Sequence, residues 1–225
     1  MSDIDTQRKV LNKAQTQLRE LMTDKERPEQ AIEPFLNHHA MLHAAKMADA
    51  GLWSFEDAIL DDMDEARIRR IPSGSENSIA WCFWHIARIE DVAMNRLIAD
   101  QPQIFLQGNW QKRMQISFVD TGNAMSAEEM VQLSEEINIA ALRVYRVAVG
   151  RQTRQIVTAI TPTDFTKKVD LQRLEQIRAD DAIREGAEGI LEYWRKRTIA
   201  GLLLMPASRH ILVHLNEALN LKRKR

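Results

Sequence analysis

Three polar side chains share one face of the last predicted helix. His210 and His214 are four positions apart, and Glu217 follows one turn later. Because residues four apart in an α-helix lie above one another, the two imidazoles can bind one metal ion together. Leu212 and Leu215 fall on the opposite side, which leaves a second interpretation open. In that interpretation the two histidines and Glu217 are the solvated face of an amphipathic helix.

His85 is the candidate for a third ligand. It lies between Trp84 and Ile86 in the most apolar segment of the chain. A buried histidine on its own usually satisfies a single hydrogen bond, but beside a histidine pair from another helix it can complete a metal site. Three nitrogen ligands and an open fourth position are typical of a catalytic site, which binds water, lowers its pKa and polarises a substrate. Imidazole ligands suit Zn, Ni, Cu or Fe, and the spacing does not choose among these metals and Mn.

The remaining histidines have weaker signals. His39 and His43 are also four positions apart. They are predicted to be packing or helix-surface residues, with two alternatives, a competing metal site or groups that line the same cavity and support its ligands. His43 and Glu217 are the candidates for a catalytic role, and His38 has no assigned role. Glu90 interrupts an apolar stripe and is either functional or, as we expect, paired with a buried arginine.

Helices must position these residues. Glycine (8) and proline (6) are scarce, whereas alanine, leucine, arginine and glutamate are plentiful, which favours helices over strands. Hydrophobic periodicity, capping residues and prolines set the helix limits. The predicted helices span residues 5–22, 28–50, 54–68, 77–99, 126–160, 171–179, 187–204 and 206–221. The helix over 77–99 is apolar on most sides, so it belongs in the middle of a bundle.

The predicted architecture is all-α, a four-helix bundle with extra helices and long insertions. An N-terminal surface helix within residues 1–27 precedes a single bundle domain, residues 28–225. Residues 100–125 are expected to be ordered but to have little regular structure. The helix over 126–160 is long for a globular protein, so we expect it to bend.

The charge balance argues against a general nucleic-acid binder, since 31 Lys and Arg face 32 Asp and Glu. Cys82 is the only cysteine, which excludes a disulfide within the chain and a cysteine-based zinc cluster, and its apolar neighbours predict an inert thiol. The longest apolar run, residues 199–206, is too short to span a bilayer. We therefore expect a cytoplasmic protein that binds neither nucleic acid nor membranes.

Two motifs resemble those of the DinB-like (YfiT-like) superfamily of helical bundles. The segment 77–91, NSIAWCFWHIARIED, is similar to the family's second core helix, and the segment 201–217, with its His-x-x-x-His pair, is similar to its last core helix. The resemblance covers residues 28–221 and implies a four-helix bundle with a three-histidine metal centre. By position, the implied ligands are His85, His210 and His214. Family members include thiol-dependent S-transferases and maleylpyruvate isomerases that use mycothiol, glutathione or bacillithiol, and they are often homodimers.

The leading hypothesis is a metal-dependent enzyme with S-transferase, isomerase or hydrolase activity. Its divalent ion would activate water or a low-molecular-weight thiol toward a small-molecule substrate. The insertions near residues 100–125 and 161–190 depart from the minimal bundle, so the family's substrates do not transfer directly. The rival hypothesis is a non-catalytic binding or interaction protein with structural histidines, and a third is a metal-responsive regulator without turnover. A histidine cavity that opens to solvent favours the enzyme.

Overall fold

The computed structural model describes residues 4–24 and 26–224, and within these ranges it is an all-helical protein without a β-strand. Four helices form the core. They are α2 (Ile32–Leu42), α5 (Ile79–Asp91), α9 (Ile139–Ala159) and α13 (His210–Arg223). Both α5 and α2 pack against α9 and against α13, which closes the bundle. The predicted all-α four-helix architecture is confirmed.

The long helix α1 and a set of shorter helices and turns surround this core. The other α-helices are α1 (Ile4–Thr23), α3 (Phe55–Leu60), α4 (Glu65–Arg69), α6 (Ile104–Gln107), α7 (Trp110–Met114), α8 (Ala127–Glu136), α10 (Leu171–Ala179), α11 (Gly189–Arg195) and α12 (Ile199–Leu204). Two π-helical segments, Val92–Ala99 and Met205–Arg209, continue α5 and precede α13. Within the ranges that the structure describes, no helix combines the length and apolarity that crossing a membrane requires.

Local capping chemistry explains where several helices begin. The Ser54 hydroxyl accepts a hydrogen bond from the Asp57 backbone N–H at the start of α3. Ser126 and Glu129 form the predicted capping box of α8, each side chain accepting a bond from the other's backbone N–H. Helix α10 has the predicted bounds, 171–179. These starts are confirmed because a cap depends only on residues close in sequence.

The predicted helix over 28–50 is wrong in length. It begins as a 3₁₀ turn, Pro28–Ala31, and its α-helical part ends at Leu42 because His43 has an extended backbone (φ −110°, ψ 168°). The chain leaves the helix there so that the His43 side chain enters the core, where it is 1 % exposed. Burial of a side chain outside the helical stripe therefore overrides periodicity at this end.

The expected bend in the long helix over 126–160 is a complete break. Ile137 leaves helical geometry (ψ 127°), and the Asn138 side chain starts α9 by accepting a hydrogen bond from the Ala141 backbone N–H. The predicted helix over 187–204 likewise divides into α11 and α12. In both regions the residues have high helix propensity, so the sequence pattern does not indicate the turn that tertiary packing imposes.

The N-terminal helix α1 buries one of its faces, although its polarity suggested a surface position. Leu11, Leu18 and Met22 are each 3 % exposed or less. Gln15 lies on the same face and joins three parts of the chain. Its side-chain oxygen accepts a hydrogen bond from His38 Nε2 (3.0 Å), and its amide nitrogen donates to the hydroxyl of Ser208 (3.3 Å).

His38 predicts an acid-sensitive contribution to stability. Burial, aided by the neighbouring His39, lowers the pKa of His38 from 6.5 to about 4. The unfolded chain takes up this proton near its ordinary pKa and the folded chain only near pH 4, so the free energy of unfolding falls as the pH drops through that window. This residue contributes up to about 1.4 kcal/mol per pH unit. Guanidinium unfolding at a series of pH values measures the unfolding free energy at each pH. In His38→Gln this free energy should change with pH less steeply, by the equivalent of one proton, and an unchanged pH dependence would contradict this assignment.

A buried ion pair holds residues 100–125 against the bundle. The Arg88 guanidinium donates hydrogen bonds to the side chain of Gln103 (2.8 Å) and the carbonyl of Val119 (2.7 Å). Asp91, 3.4 Å from Arg88, accepts hydrogen bonds from the backbone N–H groups of Ile104 and Phe105. Hydrogen bonds to these two charged side chains therefore hold the insertion in place, where regular secondary structure is short.

We expect the Arg88→Met variant to lose about 3–5 kcal/mol of unfolding free energy, because it leaves Asp91 charged and buried without its cation. Tyr145→Phe is the matched control, since it keeps both charges and removes one hydroxyl, which donates to Asp91 (2.6 Å) and accepts from Arg88 (3.1 Å). It should cost about 2 kcal/mol. Urea unfolding monitored by circular dichroism measures both. Equal losses in the two variants would show that the ion pair has no special role.

Candidate metal centre

The three predicted ligands converge at one point of the bundle. His85 projects from α5, and His210 and His214 project from the first turns of α13. Their ring centroids are 4.6–4.9 Å apart, and one potential ligand nitrogen from each ring lies within 4.8 Å of the others. This group of histidines could hold a metal ion.

The His85 ring is fixed by a backbone carbonyl. Its Nδ1–H donates to the carbonyl oxygen of Thr121 (2.6 Å), and Trp81 stacks on its face with ring centroids 4.5 Å apart. The chain reaches this position by a turn at Gly122, whose φ is +81°. A Cβ at Gly122 would lie 2.5 Å from the ring of Trp84, so both the backbone conformation and the space require glycine.

A carboxylate fixes the His214 ring. Its Nδ1–H donates to one oxygen of Glu217 (2.8 Å), and the other oxygen accepts a hydrogen bond from the side-chain amide of Asn77 (2.6 Å). Burial raises the pKa of Glu217, but the hydrogen bonds from His214 and Asn77 outweigh it and lower the pKa. Glu217 is therefore an ionised acceptor that orients a histidine ligand, as carboxylates do around many metal sites.

These contacts decide which nitrogen of each ring is available to a metal. A neutral imidazole carries one N–H, and carbonyl and carboxylate oxygens only accept, so Nδ1 holds the proton in His85 and His214. In the neutral form of each ring the lone pair is therefore on Nε2, and His85 Nε2 lies within hydrogen-bond distance of His210 Nε2. Burial, followed by the nearby His214, lowers the pKa of His85 to about 3, and burial and His85 lower that of His210 well below its usual value. Both rings are neutral at physiological pH, as ligation requires.

The distance between ligand atoms fits a metal ion. His85 Nε2 and His210 Nε2 are 3.2 Å apart. Two nitrogens bound to one tetrahedral zinc ion at about 2.0–2.1 Å are separated by about 3.3 Å. His210 Nδ1 is buried and has no hydrogen-bond partner among the residues that the structure describes. The three-nitrogen donor set and its supporting contacts therefore fit a divalent transition metal.

A π-helical turn sets the direction of the last two ligands. Met205–Arg209 lies between α12 and His210, and Ser208 donates a hydrogen bond to the carbonyl of Leu203, five residues earlier. Pro206 within this turn removes one backbone donor and favours the wider helix. Such turns often occur at functional sites because they change the phase of a helix without ending it.

The three histidines line a cleft of about 680 Å³ that opens to solvent. Its apolar wall includes Trp81, Met125 and Met130, and its polar groups include Ser75 and Asn123. The last residues of the insertion, 122–125, and the start of α8 supply one side of the cleft. An open cleft was the feature expected of an enzyme, and it leaves a ligand in contact with the histidines room to exchange.

Comparison with known families identifies the fold. The sequence model of the DinB superfamily matches residues 54–208, which is more than half of the chain. The chain belongs to the DinB superfamily. The resemblance predicted from the two motifs is confirmed, although the matched region includes His85 and ends just before His210. No curated protein matches this DinB-superfamily chain.

The structure places the other candidate residues away from this centre. His43 contacts His39, Glu90 and Gly150 in the interior of the bundle, and it does not line the cleft. Glu90 is paired, but the expected arginine partner is wrong. Its carboxylate accepts hydrogen bonds from His39 (2.7 Å) and from the hydroxyl of Thr153 (2.7 Å).

Cys82 lies beside the centre but is closed to solvent. Burial, together with the proximity of Glu217, raises the pKa of its thiol well above the usual value. A protonated, buried thiol is a weak nucleophile and a weak ligand, in agreement with the predicted inert group. The cysteine therefore fills space behind the His214–Glu217 pair.

Sequence reasoning missed two residues that support the ligands. Thr121 acts through its carbonyl oxygen, which every residue possesses, so no side-chain signal could have identified it. Asn77 lies just before the N-cap of α5 and contacts Glu217 across 140 positions of sequence. The role of the Asn77 side-chain amide can be recognised only once α5 and α13 are seen to pack against each other.

Elemental analysis of untagged protein purified without chelators tests the centre. We expect His214→Ala to contain one equivalent less of divalent metal than the wild type, because it removes one of three ligands. Glu217→Gln should keep the ligand and bind the metal about 10–100-fold more weakly, because it removes the negative acceptor of the His214 N–H. The control is His38→Gln, a buried histidine outside this centre. Equal metal content in all four proteins would contradict the assignment.

Proposed function

We propose that this protein is a metal-dependent enzyme that acts on a small molecule through His85, His210 and His214. The observation that carries the proposal is the convergence of three imidazoles in a cleft open to solvent. A structural metal site needs no open side, because its four ligands come from the protein, whereas a catalytic site keeps one position for water or substrate.

The side chains and backbone around the three histidines serve to position the imidazole rings. Thr121 and Glu217 fix the rings of His85 and His214, so the ligands need little reorganisation during a reaction. Trp81 covers the face of His85 and meets the edge of His214, which excludes water from that side. When bound, a divalent metal ion would lower the pKa of water or a thiol and polarise the substrate.

The cleft indicates the class of substrate. Its volume, about 680 Å³, lies within the range of sites for small organic ligands. The methionine side chains Met125 and Met130 offer an adaptable apolar surface, and Ser75 and Asn123 offer hydrogen-bonding groups. We therefore propose an electrophilic small molecule as substrate and water or a low-molecular-weight thiol as the nucleophile, which corresponds to hydrolase or S-transferase chemistry.

Glu217 acts in this proposal as a positioning residue and does not transfer a proton. Both of its carboxylate oxygens are occupied, one by His214 and the other by Asn77. Its lowered pKa also makes it a weak base. Glu217, which the sequence suggested as a catalytic base, therefore orients the His214 ring in this proposal.

The activity test uses protein loaded separately with Zn, Ni, Mn and Fe. Each form is assayed for hydrolysis of activated esters and for transfer of glutathione, bacillithiol or mycothiol to small electrophiles. We expect one metal form to turn over substrate and His214→Ala to lose at least about 100-fold in kcat/KM, because activation of the nucleophile requires the metal. Glu217→Gln should regain part of its activity at high metal concentration.

His38→Gln is the matched control, because it changes a buried histidine that does not line the cleft. Its kcat/KM should stay within a factor of about 3 of the wild type. Stoichiometric metal binding without turnover of any substrate class would favour the third hypothesis, a metal-responsive regulator without turnover. Turnover that His214→Ala leaves unchanged would contradict the proposed role of this centre.

A further inference from the structure

A second group of potential metal ligands lies in the interior of the bundle. His39 at the end of α2, His43 just after it and Glu90 on α5 are each 1 % exposed or less. His39 Nε2 is 2.7 Å from one oxygen of Glu90, and His43 Nε2 is 3.1 Å from the other. One potential ligand atom from each of the three side chains lies within 4.8 Å of the others.

Several polar atoms of this group lack a hydrogen-bond partner. They include both ring nitrogens of His43 and one carboxylate oxygen of Glu90, judged over all residues that the structure describes. The 3.1 Å approach of His43 Nε2 to that oxygen does not have the orientation of a hydrogen bond. Buried polar groups are nearly always satisfied, so a cluster of unsatisfied atoms around one point indicates a missing partner.

The charge of the group indicates that the partner is a cation. Among the residues that the structure describes, the Glu90 carboxylate is approached by the two imidazoles and the Thr153 hydroxyl, and it forms no ion pair with an arginine or a lysine. The buried guanidinium of Arg146, whose charge acts on His43, is engaged by Glu56 at 2.7 Å.

The surrounding side chains hold the group rigidly. A Cβ at Gly150 would lie 3.0 Å from His43 Nδ1, so the imidazole packs directly on the backbone of α9. The hydroxyl of Thr153 donates to Glu90 (2.7 Å) and fixes the carboxylate plane. Phe35 stacks on His39 with ring centroids 5.6 Å apart. Ligands whose orientations are fixed in advance lose little entropy on binding a metal.

We propose that His39, His43 and Glu90 form a second divalent metal site, which is closed to solvent and ties α2, α5 and α9 together. Two imidazoles and a carboxylate are a donor set that zinc accepts. Because the site lies in the interior, its metal enters as the chain folds and stabilises the bundle.

The test uses a His210→Ala/His214→Ala background, in which the open centre lacks two ligands. This protein is unfolded, refolded with zinc, passed over a chelating resin and analysed for metal. We expect about one equivalent of zinc to remain in the background protein. Adding Glu90→Gln, which keeps the shape of the side chain and removes its charge, should reduce the retained zinc at least about 10-fold. His38→Gln in the same background is the matched control and should retain the equivalent.

X-ray absorption at the zinc edge supplies a second readout, with two histidine nitrogens and at least one carboxylate oxygen expected. If Glu90→Gln fails to fold, the background protein alone decides the matter, because refolding with zinc should raise its Tm by about 5 °C or more relative to refolding with chelator. A folded background protein that retains no zinc and has the same Tm in both conditions would overturn the site. Because the open centre lacks ligands in all of these proteins, that outcome would leave the proposed enzymatic function untouched.

Discussion

Helix α5 is buried along its whole length, from Ile79 to Asp91, and four of its side chains are titratable groups that are costly to remove from water. His85, Arg88, Glu90 and Asp91 must each find polar partners inside the protein. These partners come from different parts of the chain, namely the insertion, α2 and α9. The need to satisfy one central helix determines much of the arrangement around it.

The polar side chains of α5 hold three different parts of the chain. Arg88 and Asp91 capture the insertion that follows the helix, through backbone and side-chain hydrogen bonds. Glu90 draws in His39. His85 is bonded to the carbonyl of Thr121, and this contact closes the side of the cleft next to the three histidines. The insertion therefore has a defined shape with little secondary structure, because the polar groups of the helix replace a regular hydrogen-bond ladder.

Sequence reasoning recovered what depends on near neighbours. Composition and hydrophobic periodicity predicted the all-α fold, and the cap at Ser126 marked one helix start. The spacing of His210 and His214 and the apolar character around His85 predicted a group of histidines that the structure brings together. Contacts between residues distant in sequence could not be predicted. For this reason the predicted partner of Glu90 was an arginine, whereas the structure places His39 and His43 beside it. Helix ends such as Leu42 were also missed, since they depend on the burial that the finished bundle allows.

The π-helical turn Met205–Arg209 divides the last helical stretch into two parts with independent phase. A π-turn accommodates one residue more than an α-turn, and one residue corresponds to about 100° of rotation about the axis. The half before the turn buries Leu202 and Leu203, whereas the half after it buries Ile211 and Leu212 and carries both histidines. In evolutionary terms, a single-residue insertion of this kind lets the ligand face change by mutation without disturbing the hydrophobic face, whereas deleting that residue would turn both imidazoles away from His85.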